Sequence, residues 1–171
     1  MFIPDYMFDT VYDIPLSLFE KYGVKYIFFD IDNTLVPYEC DVPTKENLEF
    51  FEKLEQMGIQ ILFVSNNNVE RVEKYVRELG YKYVADAGKP GIKKYKELAD
   101  SVGAKVDNCA VVGDQIFTDV VAASRLGMKS FLVKPIKDKT TLFFKTKRFI
   151  EKPFVRAYIK REQKNKQGGN A

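Results

Sequence analysis

Five short apolar runs recur along the chain: KYIFFD (25–30), IQILFV (59–64), YVA (83–85), CAVVGD (109–114) and SFLV (130–133). Each is brief enough for a strand, and helical periodicity separates them. A helix is expected over about 44–57, where Leu48, Phe51 and Leu54 recur every three residues. Val69, Val72, Val76 and Leu79 mark another, ended by Gly80. Ile92, Tyr95, Leu98 and Ala99 face inward from a helix over 91–101, and residues 117–126 form one more. Strands apolar on both faces and joined by helices build a parallel sheet covered on both sides, with right-handed crossovers. The expected fold class is therefore α/β, a doubly wound parallel sheet. In such sheets functional groups gather beyond the carboxyl ends of the strands, where strand order reverses.

The 171 residues, 46% hydrophobic, suffice for one domain with a sizeable core, so a single domain over 1–171 is expected, with its core at about 24–133. The chain has no histidine, which removes imidazole as base or metal ligand. Its two cysteines, Cys40 and Cys109, lie far apart and outside any CxxC pattern, which suits a reducing cytoplasm. MFIPDYMFDTVYD lacks the basic start of a secretory signal, and no run reaches the roughly 20 apolar residues of a membrane span. From Lys134 onward there are 12 of the 27 Lys/Arg and 3 of the 24 Asp/Glu, so a tail of net +9 follows a body of net −6. Within that tail, apolar Leu142, Phe143, Phe149, Ile150, Phe154, Val155, Tyr158 and Ile159 alternate with lysines and arginines, the pattern of a basic amphipathic helix interrupted at Pro153. The last residues, KNKQGGNA, read as frayed.

Asp30 and Asp32 stand where the first apolar run ends, two residues apart and so on one side of an extended chain. Two ionised carboxylates near an apolar interior repel each other and lose hydration unless a cation or a shared proton compensates. Mg²⁺ suits an oxygen-only set and leaves room for phosphate oxygens. Asp114 ends the 109–114 run and Asp119 follows five residues later. Ser65 and Asn66 end the second run at a helix entrance, a place that favours anions, and Lys89 after the third run adds a positive charge. Taken singly, each feature has a plainer reading: DxD as a turn or helix cap, Ser65 as an N-cap, Lys89 as a surface lysine, Asp119 as a favourable helix-start residue. Asn67 and Asn68 read as turn residues. Together the four places supply a carboxylate nucleophile, a metal site, an anion cradle and a cation, the parts of a phosphoryl-transfer centre.

DIDNT, VSN, GKP and GDQIFTD, in this order, resemble motifs I to IV of the haloacid dehalogenase (HAD) phosphatase superfamily. The wording DNTLVPYE and GDQIFTDVVAASRLGM is similar to subfamily IIIA, the YqeG-like bacterial group related to mitochondrial phosphatidylglycerophosphate phosphatases. The resemblance implies a HAD-like Rossmannoid phosphatase in which Asp30 attacks phosphorus and Asp32 protonates the leaving oxygen, then activates water. Dehalogenase members lack an acid at the second place. It further implies Mg²⁺ held by Asp30, the backbone carbonyl of Asp32 and Asp114, with Asp119 helping directly or through water, Ser65 and Lys89 on the phosphoryl group, and Thr34 and Asn66 supporting. Roughly 30 residues separate the first two motifs and about 20 the next two, too few for a cap domain. Capless members generally act on large or tethered substrates.

The expected partner is a phosphorylated substrate, with a phospholipid head group such as phosphatidylglycerophosphate first among candidates. Soluble sugar phosphates, nucleotides and phosphoproteins form the enzymatic alternative. The basic tail could meet an anionic membrane from the cytoplasmic side, with Phe2, Ile3, Tyr6, Met7 and Phe8 as anchors, or simply pack on its own domain. An RNA- or ribosome-binding module with a vestigial site is disfavoured by the intact acids and by the lack of an RNA-binding motif. A receiver domain would place its phospho-acceptor at the end of the third strand, not the first. No feature of the sequence specifies an oligomeric state.

Overall fold

A computed structural model describes residues 2–137 and 142–168, without the side chains of 142–149 and 165–168. Its strands are β1 (Tyr6–Phe8), β2 (Tyr26–Phe29), β3 (Gln60–Val64), β4 (Lys82–Val84), β5 (Cys109–Gly113) and β6 (Lys129–Val133). All pair in parallel, in the order β1-β6-β5-β2-β3-β4. The longer apolar strands β2, β3 and β5 are central, whereas the three-residue β1 and β4 form the half-exposed edges, where short strands limit unpaired backbone. The open α/β sheet expected from the apolar runs is the one observed. The sixth strand, β1, comes from outside the 24–133 stretch: residues 6–8 have too little alternation to announce a strand, and the edge of β6 recruits them.

Successive strand residues point to opposite faces, and the core divides accordingly. Ile27, Phe29, Ile61, Phe63 and Val112 pack with α1 (Leu16–Lys21), α2 (Lys45–Gln56) and α3 (Val69–Val76) through Phe19, Phe51, Leu54, Val72 and Tyr75. Phe28, Leu62, Val64 and Val111 face α4 (Lys93–Asp100) and α5 (Val121–Leu126) through Tyr95, Leu98, Ala122 and Leu126. Each large side chain so covered contributes about 1.5–3 kcal/mol by leaving water.

Two helices bury most of the expected stripe but turn one expected residue of each outward. In α2 the stripe is Asn47, Phe50, Phe51 and Leu54, and Leu48 is exposed. The cause is Asn47: it closes a capping box with Thr44, donates to Leu35 O (3.1 Å) and Tyr12 OH (2.7 Å), and accepts from Tyr75 OH (3.1 Å). A buried side chain with so many partners turns the helix toward itself. In α3, Tyr75 replaces exposed Val69 on the inner face, and the helix ends before Gly80, whose φ is +70°.

The last helix, α6 (Leu142–Gly168), passes through Pro153 without interruption. Contacts beyond the proline hold it: Phe154 and Val155 pack on Ile116, Val120 and Leu132, Tyr158 OH accepts from Met7 N–H (3.2 Å), and Arg161 donates to the carbonyls of Pro4 and Asp5. Phe2 meets Phe117 and Phe154 while staying 46% exposed, and Tyr6, Met7 and Phe8 pack against the core, the second of the two roles open to these residues. The end of the expected frayed tail, 169–171, lies outside the described residues, as do the side chains of Lys145, Lys147 and Arg148. No helix among the described residues is long and apolar enough to cross a membrane.

Candidate active site

The strand order places β5 and β3 on either side of β2. The chain runs outward from β2 to β4, then returns across to β5, so the reversal of strand order lies beside the carboxyl ends of β2 and β5. Asp30 follows β2 directly, and its N–H donates to Val112 O (2.9 Å), which fixes it against β5. The chain then turns sharply: Asn33 has φ +64° and its N–H donates to Val36 O (2.7 Å). Asparagine tolerates this left-handed backbone better than most residues.

Asp30, Asp32, Thr34, Ser65, Lys89, Asp114 and Asp119 are all buried. Lys89 Nζ bridges Asp30 Oδ1 (2.6 Å) and Asp119 Oδ1 (2.7 Å). Burial pushes the Asp30 carboxyl up to about 6, with Lys89 opposing and Asp119 and Asp32 adding to the rise. Burial by itself would lower Lys89, but Asp119 and Asp30 hold it well above the ordinary lysine value. Thr34 Oγ1 donates to Asp30 Oδ2 (3.3 Å). Ser65 Oγ accepts from Asn67 N–H (3.0 Å), so its hydroxyl hydrogen can still be directed at a ligand. Asn66 grips the backbone of Lys89 at both ends, accepting from its N–H (2.6 Å) and donating to its carbonyl (3.1 Å), and thereby acts on Lys89.

Asp119 reaches the cluster through a π-helical turn, Ile116–Val120, that precedes α5; such turns often mark functional sites. Its Oδ2 accepts from Gln115 N–H (3.2 Å) and Thr118 Oγ1 (3.2 Å). The carboxylate lies across Gly113: a Cβ there would come 2.6 Å from Asp119 Cβ, an impossible contact. A glycine at the end of β5 is therefore a condition of the cluster.

The sequence reading missed several members of the site. Arg71 Nη2 donates to Asp32 Oδ1 and to Cys40 O, both at 2.8 Å. Asn67, read as a turn residue, donates to Asp32 Oδ2 (3.2 Å), whereas Asn68 caps α3 by accepting from Arg71 N–H (2.9 Å). One signal was present: a cation in the first turn of a helix opposes the helix dipole, so Arg71 calls for an acid nearby. Tyr38 and Thr118 line the opening with Asp30, Asp32, Ser65 and Lys89, around a cavity of about 260 Å³. Tyr38 keeps its proton, because burial and the charges of Asp30, Asp32 and Asp114 raise its pKa.

Asp30, Asp114 and Asp119 each bring a carboxylate oxygen within 4.8 Å of the others. Opposed oxygens on a Mg²⁺ ion with bonds of 2.0–2.1 Å stand about 4.2 Å apart, so the cluster has nearly the dimensions of one such ion. The charges agree: the three carboxylates of the cluster, Asp30, Asp114 and Asp119, meet the cation Lys89, a formal balance of −2. An oxygen-only set with that deficit fits a hard divalent cation.

Residues 38–127 match the haloacid dehalogenase-like hydrolase family. Over 156 residues, 91% of each chain, the sequence is 32% identical to the Bacillus subtilis (strain 168) protein named "Probable phosphatase YqeG". The fold is shared with an uncharacterized protein from Listeria monocytogenes serotype 4b, with TM-score 0.54, 18% identity, and coverage of 69% of this chain and 85% of that one. It is shared also with the cobalt-bound deoxy-D-mannose-octulosonate 8-phosphate phosphatase of Haemophilus influenzae, with TM-score 0.52, 15% identity, and coverage of 80% and 90%.

Proposed function

The chain belongs to the haloacid dehalogenase-like hydrolases, and from that premise we propose that it is a Mg²⁺-dependent phosphomonoesterase working through a phosphorylated Asp30. The observation that carries the proposal is the meeting of Asp30, at the reversal of strand order, with Lys89 at 2.6 Å and with the Asp114 and Asp119 carboxylates. Lys89 and the Ser65 hydroxyl hold the phosphoryl oxygens in the cavity. An Asp30 oxygen attacks phosphorus in line with the ester oxygen, which departs with a proton from Asp32. The Asp32 carboxylate then takes a proton from water, whose oxygen attacks the phosphorus of the aspartyl phosphate and regenerates Asp30 with release of inorganic phosphate. Arg71 and Asn67 hold the two Asp32 oxygens in place for both transfers. Held by Asp30, Asp114, Asp119 and the Asp32 carbonyl, Mg²⁺ would neutralise charge gathering on the phosphoryl oxygens.

As substrate we propose a phosphate ester presented by a large or surface-bound molecule, with a phospholipid head group such as phosphatidylglycerophosphate as first candidate. Two features support this. The stretches from Asp30 to Ser65 and from Ser65 to Lys89 are too short to carry a cap domain over the cavity, and at the same end of the sheet the loop residues Val42 and Ile136 and the first residue of α3, Val69, are exposed. The test is phosphate release from phosphatidylglycerophosphate in anionic vesicles and from a panel of soluble sugar phosphates and nucleotides, with Mg²⁺ or with chelator. We expect Mg²⁺-dependent release that Asp30→Asn abolishes, fastest on the vesicles. Release unchanged in Asp30→Asn would reject the nucleophile, and faster turnover of a soluble ester would reject the lipid substrate.

A further inference from the structure

Glu151 is the one acidic residue of α6 that is buried, at 4% exposure, and it belongs to none of the motifs above. Its Oε1 accepts from Ile116 N–H (3.1 Å), the first amide of the π-helical turn. The preceding amide, Gln115 N–H, donates to Asp119 Oδ2. Two carboxylates thus hold consecutive amides of one turn, and one of them belongs to the metal-sized acid cluster. A carboxylate on helix-start amides makes a charge-assisted bond along a favourable dipole, and burial of both partners makes that bond hard to replace with water. Phe154, one turn further along α6, packs edge-on against Phe117 of the same turn (5.6 Å between ring centroids).

We infer that Glu151 is a positioning residue for the phosphoryl-transfer centre: by fixing the turn 115–119 from the C-terminal helix, it sets the Asp119 carboxylate in place to hold the metal. The inference rests on the metal reading of the acid cluster. It gives α6 a part in the site although none of its described side chains lines the cavity, and it makes metal affinity dependent on the helix being docked.

Calorimetric titration of Mg²⁺ into the substrate-free, full-length protein tests it, beside the Mg²⁺ concentration that half-saturates phosphate release. Glu151→Ala should weaken Mg²⁺ binding by about 10- to 100-fold, the range found when groups that orient metal ligands are removed. Glu151→Gln keeps an acceptor oxygen and should restore binding to within about twofold of wild type. Arg161→Ala loosens the far end of the same helix and should lower the melting temperature while leaving Mg²⁺ affinity unchanged. Wild-type affinity in Glu151→Ala, or an equal loss in Arg161→Ala, would overturn the inference and leave the metal site standing. Absence of Mg²⁺ binding by the wild type would overturn the metal site and the inference with it.

Discussion

Asp30 answers two opposed demands: a nucleophile must be ionised, and burial favours the neutral acid. In the metal-free protein the outcome is a pKa of about 6 against an ordinary 3.8. Between those values the folded protein binds more protons than the unfolded chain, so its stability is greatest below pH 3.8, as far as this group is concerned, and declines as pH rises toward 6. The decline attributable to Asp30 is at most about 3 kcal/mol. Asp30→Asn should remove it, which denaturant unfolding of chelator-treated protein from pH 4 to 7 would show; identical slopes for mutant and wild type would contradict the assigned environment. Gly113 raises a different issue, one of space. Gly113→Ala must push the Asp119 side chain out of its position, and overpacking of this kind costs about 1–3 kcal/mol. It should also weaken Mg²⁺ binding, whereas a titration showing wild-type affinity would mean that Asp119 is dispensable to the cluster.

Among the elements, α2 shows how a pattern can be right about a helix and about its buried Phe51 and Leu54 and still misplace one residue, Leu48. Leu48 keeps 46% of its surface exposed and Phe51 only 1%. Leu48→Gln should change stability by less than about 0.5 kcal/mol, and Phe51→Ala should cost about 3–5 kcal/mol; urea melts giving comparable losses would put Leu48 back on the buried face beside Phe51. The five apolar runs revealed their strands because buried parallel strands are apolar on both sides, a signal that needs no knowledge of neighbours. The orientation of α2 was hidden because it depends on Asn47 reaching Leu35, Tyr12 and Tyr75, distant positions that only the fold brings near. The same holds in the site. Asp30, Asp32, Ser65, Lys89, Asp114 and Asp119 announced themselves by standing where apolar runs end. Arg71, Asn67 and Glu151 sit inside helices or turns, and their relation to the acids is one of tertiary contact. Pro153 is the converse case, a local break signal overridden by contacts on its C-terminal side.

Across the whole molecule, the sheet gathers acids at one end of β2 and β5, and the C-terminal helix that carries much of the positive charge returns to brace the turn bearing Asp119. The packing of the partly buried Phe154 and Val155 against Ile116, Val120 and Leu132 ties that basic helix to the end of the sheet that holds the acids. A surface drawn to its lysines would therefore lie close to elements that shape the site. The central claim remains a chemical one, that Asp30 takes the phosphoryl group. Its most direct measurement is to quench turnover of a phosphate ester in denaturant with Mg²⁺ present, reduce the acyl phosphate with borohydride, and map the altered residue by mass spectrometry. The account predicts reduction at position 30 in the wild type and none in Asp30→Asn; reduction at another carboxylate, or turnover persisting in Asp30→Asn, would contradict it.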